Sequence, residues 1–365
     1  MAPSWRLAAS PRIWMLAFLP AVLGLEALAP ERRVLLFACS CAAMVPLAAW
    51  IGRATEQLAD RIGEGVGGLL NATLGNAAEL VLGVAALRHG LIDVVKASLI
   101  GSILGNLLLV LGLALLAGGL GRDSQRFNAT AARAQSSTLT LAAIGLLAPA
   151  AFRAFGGGAA GAGSLSFAVA AALVVTYACG LLFSLRTHRR LFLGAGYSAA
   201  EAAPARSAFV PWGLGRAVAT LAAATALAVW VSEVLVDVVE PAARALHMTD
   251  LFVGAVVLAV VGNAAEHASA VQVARHDRMD LALGIALGSS AQVALFVAPL
   301  LMLLSRVVGP RPMDLVFTGA EALAVAAAVA IAVQVAADGE SNWLEGVQLL
   351  GVYAVLAALF FWLPG

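Results

Sequence analysis

The chain has 365 residues, of which 62% are hydrophobic and 12% charged, with a mean hydropathy of +0.94 and a formal net charge of +1. Soluble globular domains carry roughly 25% charged residues, so the composition argues against a water-soluble fold and for lipid as the solvent. The near-zero net charge and the lack of a basic patch with interleaved aromatics argue against a nucleic-acid partner.

Arg6 and Arg12 precede an apolar run, and Ala27-Leu28-Ala29 has the small-residue form of a signal-peptidase site. Pro30 follows directly and disfavours cleavage, so 13–29 is expected to be a retained first span. At about 20 apolar residues per span, further segments qualify at 33–51, 66–87, 94–118, 136–153, 164–186, 213–237, 251–274, 281–305, 313–336 and 345–363. The expected fold is an all-α membrane protein with eleven transmembrane helices. With the N-terminus in the cytoplasm, 14 of the 22 Lys and Arg fall on the inside and 8 on the outside, which favours that orientation. The three cysteines, Cys39, Cys41 and Cys179, lie in apolar runs without metal or disulfide spacing. The cluster Gly156-Gly157-Gly158 lacks the Lys-Ser/Thr of a phosphate loop and reads as a turn.

A shift of 187 residues superposes the chain on itself. Gly75-Asn76-Ala77-Ala78-Glu79 falls on Gly262-Asn263-Ala264-Ala265-Glu266, Arg88-His89 on Arg275-His276, Asp93 on Asp280, and Gly101-Ser102 on Gly288-Ser289. Chance matches of Ala or Leu are expected between apolar helices; matched Asn, Glu, His, Asp and Ser at one shift are not. The expected organisation is a leading span (1–30), a five-helix repeat (31–186), a cytoplasmic linker (187–212) and a second five-helix repeat (213–365). An odd number of spans per repeat inverts the second relative to the first, as in many secondary transporters.

A charged residue at the centre of a span costs about 2.5–3.5 kcal/mol on insertion scales, so Glu79 and Glu266 are the first candidates for function. Asn76 and Asn263 stand three residues earlier, on the same helical face as the carboxylate. Gly75 and Gly262 permit close backbone approach or local unwinding. Ser102 with Asn106, and Ser289 with Gln292, are spaced to share faces on the following spans. Two carboxylates with amide, hydroxyl and carbonyl oxygens suit a hard divalent cation. Low-dielectric surroundings penalise a charged carboxylate, so protons can compete for the same oxygens. His267, beside Glu266, could relay protons or simply pack. Asp93 and Asp280, at the starts of their spans, read as N-caps. Glu56, Asp60 and Glu64 form either a solvated face or a cation-attracting mouth. No nucleophile triad or His cluster lies at membrane depth, so no enzymatic activity and no cofactor are expected.

The paired Gly-Asn-Ala-Ala-Glu segments, Leu69-Leu70-Asn71-Ala72-Thr73-Leu74, Met279-Asp280-Leu281-Ala282-Leu283-Gly284, Gly288 to Phe296, and Asp338-Gly339-Glu340-Ser341-Asn342-Trp343-Leu344-Glu345-Gly346 resemble the Ca2+/H+ exchangers of the cation/Ca2+ exchanger superfamily. The resemblance covers roughly residues 50–365. It implies one leading helix plus two inverted five-helix repeats, Glu79 and Glu266 as alternating Ca2+ and H+ carriers, and a pathway lined by Asn76, Asn263, Ser102, Ser289 and Gln292. It further implies a trimer as a possible assembly. An acidic regulatory segment is common between the halves of such proteins, whereas 187–212 holds Glu201 against Arg189, Arg190 and Arg206. Na+/Ca2+ or Mn2+ exchange on the same fold is the alternative. High Ala and Arg with almost no Lys suggests a GC-rich bacterial genome, hence the plasma (inner) membrane as the expected location.

Overall fold

The computed structural model describes residues 17–62, 67, 69–70, 73–187 and 212–363. Most of the expected linker, residues 1–16 of the leading segment, and Glu64, Asn71 and Ala72 therefore lie outside the described residues. The chain is almost wholly helical: α1 (Phe18–Leu28), α2 (Arg33–Ile62), α3 (Ala77–Arg88), α4 (Ile92–Gly119), α5 (Ala129–Ala154), α6 (Ala159–Thr187), α7 (Leu214–Ala245), α8 (Asp250–Gly262), α9 (Ala264–Arg275), α10 (Met279–Val308), α11 (Gly319–Val335) and α12 (Trp343–Trp362). Among the described residues, seven helices are long and apolar enough to cross a membrane, or eight if the bent pair α8–α9 counts as one span. Helices α1 and α11 are apolar but shorter, with 11 and 17 residues.

Two of the expected continuous spans are interrupted. Helices α8 and α9 meet at an angle of 61°, with Asn263 at φ −98° and ψ 7° between them. Asn76 adopts nearly the same backbone, φ −94° and ψ 23°, just before α3. Both asparagines occupy the sparsely allowed bridge region, where a helix loses its regular hydrogen-bond ladder. Helices α3 and α9 consequently start 187 residues apart and end 187 residues apart. Helices α4 and α10 each contain one wide π-type turn, at Gly105–Val110 and Val293–Val297.

Helices α2 and α7 form the most extensive pairing among the described residues. Helices α8 to α12 pack around α4, which is almost entirely buried. Close crossings there depend on small residues. Gly101 of α4 lies on the backbone of Ala255 of α8, where any Cβ would collide with the Ala255 carbonyl. Gly346 of α12 lies on α4, where a Cβ would stand 2.5 Å from the Leu116 nitrogen and 2.7 Å from the Gly112 oxygen.

The segment Asp338 to Gly346 has a structural explanation. Gly339 takes φ +85°; Glu340–Ser341 (β2) pairs antiparallel with Gln125–Arg126 (β1); Asn342 and Glu345 form a reciprocal capping box at the start of α12; and Gly346 makes the crossing with α4. Asp93 and Asp280 are not N-caps: Leu91 and Arg278 occupy those positions. The two aspartates fall within the first helical turn, where negative charge still complements the helix dipole. Asp280 accepts a hydrogen bond of 2.5 Å from the Asn128 amide and so ties α10 to the start of α5.

Substituting Gly346→Val should force α12 away from α4 and cost about 1–3 kcal/mol, in the range of core overpacking. A thermal unfolding scan in detergent should show a lowered Tm. Gly351→Ala, where a Cβ meets nothing within 4 Å, should leave Tm unchanged or slightly raised.

Candidate functional site

Glu79 lies in the first turn of α3 and Glu266 in the first turn of α9. Each thus sits at a helix N-terminus created inside the molecule by an asparagine break, where the unpaired amides and the helix dipole favour negative charge. The two motif segments meet. A Cβ built on Gly262 would stand 3.7 Å from Cγ of Glu79 and 4.0 Å from its Cδ, so the Glu79 side chain lies against the α8–α9 break.

Both carboxylates face one cavity of about 1120 Å³. Gly75, Ala78, Gly262, Ala265, Gly288, Ser289 and Gln292 also line it. Its walls continue to one end of the bundle, past Ser269 and Gln272, to Arg53, Glu56 and Gln57 on α2, Asn128, Trp212, Asp277, Arg278 and Asp280. The end of α2, the α4–α5 connection, the α9–α10 turn and the start of α7 all lie there, so this end is the mouth. Below the cavity floor, on the side away from the mouth, the Gly101–Ala255 crossing brings α4 and α8 into backbone contact.

Hydrogen bonds join the two halves of the chain around the cavity floor. Asn76 Nδ2 donates to Gln292 Oε1 at 2.7 Å, and Asn263 Nδ2 donates to Ser102 Oγ at 3.0 Å and to the Ala259 carbonyl at 2.9 Å. Ser289 Oγ donates to Glu266 Oε2 at 2.6 Å, a short charge-assisted geometry. Asn76 and Asn263 are fully buried, yet the Oδ1 of each has no hydrogen-bond partner among the described residues. Each is therefore a buried acceptor three residues before a carboxylate. Among the described residues there is no group of three or more His, Cys, Asp and Glu that could hold a metal; the oxygen set here is two carboxylates and neutral oxygens.

Not every expected residue comes to this site. Glu79, Glu266, Ser289 and Gln292 line the cavity, while Asn76, Asn263 and Ser102 are linked behind it. Asn106 is buried on the π-type turn of α4 and does not line the cavity; its amide finds no partner among the described residues. His267 is also absent from the lining, and its Nε2 is buried without a hydrogen-bond partner among the described residues. Of the acidic residues expected near the mouth, Glu56 lines the cavity and Asp60 does not. Ser269 and Gln272 were missed by sequence reasoning; Ser269, three residues after Glu266, lies about 60° from it around the helix, and Gln272 about 120°.

Comparison with known proteins agrees with this architecture. Residues 33–186 and 216–362 match the sodium/calcium exchanger protein family. The Ca(2+)/H(+) antiporter of Synechocystis sp. is 44% identical over 338 residues, covering 88% of this chain and 89% of the relative. The Ca(2+)/H(+) antiporter ChaA of Bacillus subtilis is 42% identical over 328 residues, covering 89% and 92%. The structure of native YfkE superposes with a TM-score of 0.82 at 38% identity, over 96% of this chain and 99% of that one. The H+/Ca2+ exchanger CAX shares the fold, with a TM-score of 0.70 at 14% identity over 96% and 91%. By matches spanning nearly its whole length, the chain belongs to the sodium/calcium exchanger protein family.

Proposed function

We propose that this chain is a secondary active antiporter that exchanges cytosolic Ca2+ for H+ across a bacterial plasma membrane by alternating access. The observation that carries this reading is the pair Glu79 and Glu266, which face one cavity from two internal helix N-termini. Relatives more than 40% identical carry the name Ca(2+)/H(+) antiporter. The fold reading that accompanies it is eleven spans, one leading helix and two inverted five-helix repeats, with the N-terminus in the cytoplasm. In that orientation the mouth opens to the cytosol, the side from which Ca2+ is loaded.

Two ionised carboxylates balance the charge of one Ca2+. The Oδ1 atoms of Asn76 and Asn263, with Ser289 and Gln292, supply neutral oxygens of the kind Ca2+ accepts in irregular shells of six to eight. In the return step both carboxylates carry protons. Protonation removes a cost of about 2.5–3.5 kcal/mol per charged side chain at membrane depth, so the ion-free site can reorient. A ligand pair on α3 and α9, each just after a break, lets the site be approached from either end as the α2–α7 pair moves past it. His267, packed behind Glu266, is assigned a secondary part in proton transfer, and Asn106 a secondary part in the polar path.

Ca2+ uptake into everted vesicles under an imposed pH gradient tests the reading; uptake insensitive to collapse of that gradient would sink it. Glu79→Gln and Glu266→Gln should each abolish exchange while leaving the protein monodisperse in detergent. Ser289→Ala removes a hydrogen bond to a carboxylate, worth roughly 1.5–3 kcal/mol, and should weaken apparent Ca2+ affinity by about tenfold or more in the same assay. Transport that persists when choline replaces Na+ decides against a Na+-driven exchanger.

A further inference from the structure

At the end opposite the mouth, four charged or ionisable side chains meet between α3 and α7. Arg88 Nη1 donates to Glu233 Oε1 at 2.6 Å, His89 Nε2 lies 2.9 Å from Glu233 Oε2, and His89 Nδ1 lies 3.3 Å from Asp237 Oδ1. Glu233 and Asp237 stand four residues apart, on one face of α7. Arg88 and His89 are the last residue and the C-cap of α3.

The contact lies on the long interface along which α7 packs against α3. Helix α7 belongs with α2, its most extensive partner. The outer end of α3 is also held by α10 and the segment after it: a Cβ at Gly83 would press on Leu301, one at Gly90 would stand 3.1 Å from Pro310 Cγ, and one at Gly309 would stand 3.0 Å from the Leu87 oxygen. Movement of the α2–α7 pair past α3, as the alternating-access reading has it, breaks this cluster. The matching pair of helices at the mouth, α9 and α2, does not repeat these residues. At the 187-residue shift, Arg275 and His276 replace Arg88 and His89, but Pro46 and Trp50 of α2 replace Glu233 and Asp237. Arg275 and His276 therefore have no acid at the matching positions.

We infer that the Arg88–His89–Glu233–Asp237 cluster is a latch that holds the far end closed and biases the exchanger toward the state with its mouth open. The inference rests on the alternating-access reading above. The partly exposed setting of the cluster, with Arg88 58% and Glu233 29% exposed, makes it a weak latch. Exposed ion pairs contribute little singly, and a network contributes more. A weak latch suits a device that must open in every transport cycle.

The test is state-specific labelling of the full-length protein. In a background with Cys39, Cys41 and Cys179 replaced, Ser269→Cys places a thiol in the cavity wall, and its reaction rate with a polar maleimide reports mouth-open protein. Glu233→Gln with Asp237→Asn should slow labelling by about two- to tenfold. Arg88→Gln should act in the same direction, and the exchange of partners Arg88→Glu with Glu233→Arg should restore at least half of the rate. Unchanged labelling in monodisperse variants, or slowing that the exchanged pair does not reverse, overturns the latch. Labelling requires no transport, so absence of pH-driven Ca2+ uptake by the unmodified protein would count against the exchanger reading and not against the latch.

Discussion

A carboxylate at membrane depth needs compensation, and Glu79 and Glu266 obtain it from one local device. Each follows an asparagine whose backbone leaves the helical region, so each occupies the first turn of a helix that begins inside the molecule. The free amides and dipole of that helix end stabilise negative charge, while the interruption exposes the carboxylate to a cavity and not to lipid. Everything else at the site depends on these two breaks. They direct Asn76 toward Gln292 and Asn263 toward Ser102, so each motif is held by a helix of the other half. The same amides hold buried oxygens that have no hydrogen-bond partner among the described residues.

The two ends of the bundle are built differently. At the mouth, short polar links tie loops together: β1 with β2, Gln125 with Asp277 at 2.7 Å, and Asn128 with Asp280. These links involve α4, α5, α10 and α12 and leave the cavity open along α2 and the start of α7. Away from the mouth lie the backbone-close crossing at Gly101 and, further out, the ion cluster between α3 and α7. Small residues let helices approach where no hydrophobic driving force acts between them, and the charges add a contact that can be made and broken. An exchanger that must visit two states benefits from contacts of this modest strength, since a deep minimum at either end would slow the cycle.

Much of the site was legible in the sequence, because charge and amide groups in apolar runs are conspicuous and the internal repeat identifies them twice. Glu79, Glu266, Ser289 and Gln292, conspicuous by type and spacing, line the cavity. Asn106 stays out of the cavity lining for a definite reason. Four-residue spacing from Ser102 places it on the same face only in a regular α-helix, and the wide turn at Gly105–Val110 changes the angular register at that point. His267 follows Glu266 by one residue, about 100° around the helix, which carries it out of the lining. Asp93 and Asp280 looked like caps because acids favour helix starts, but a first-turn acid satisfies the same electrostatics without capping.

Sequence by itself determined the solvent, the apolar segments and the duplicated polar motif, since these depend only on side-chain type and order along the chain. Tertiary structure alone decided that the segments break at Asn76 and Asn263, that the two carboxylates face one cavity, and which end of it is open. Those features are set by how helices cross. A backbone change of a few tens of degrees at one residue, or a missing Cβ at Gly101, redirects an entire helix, and composition carries no record of that direction.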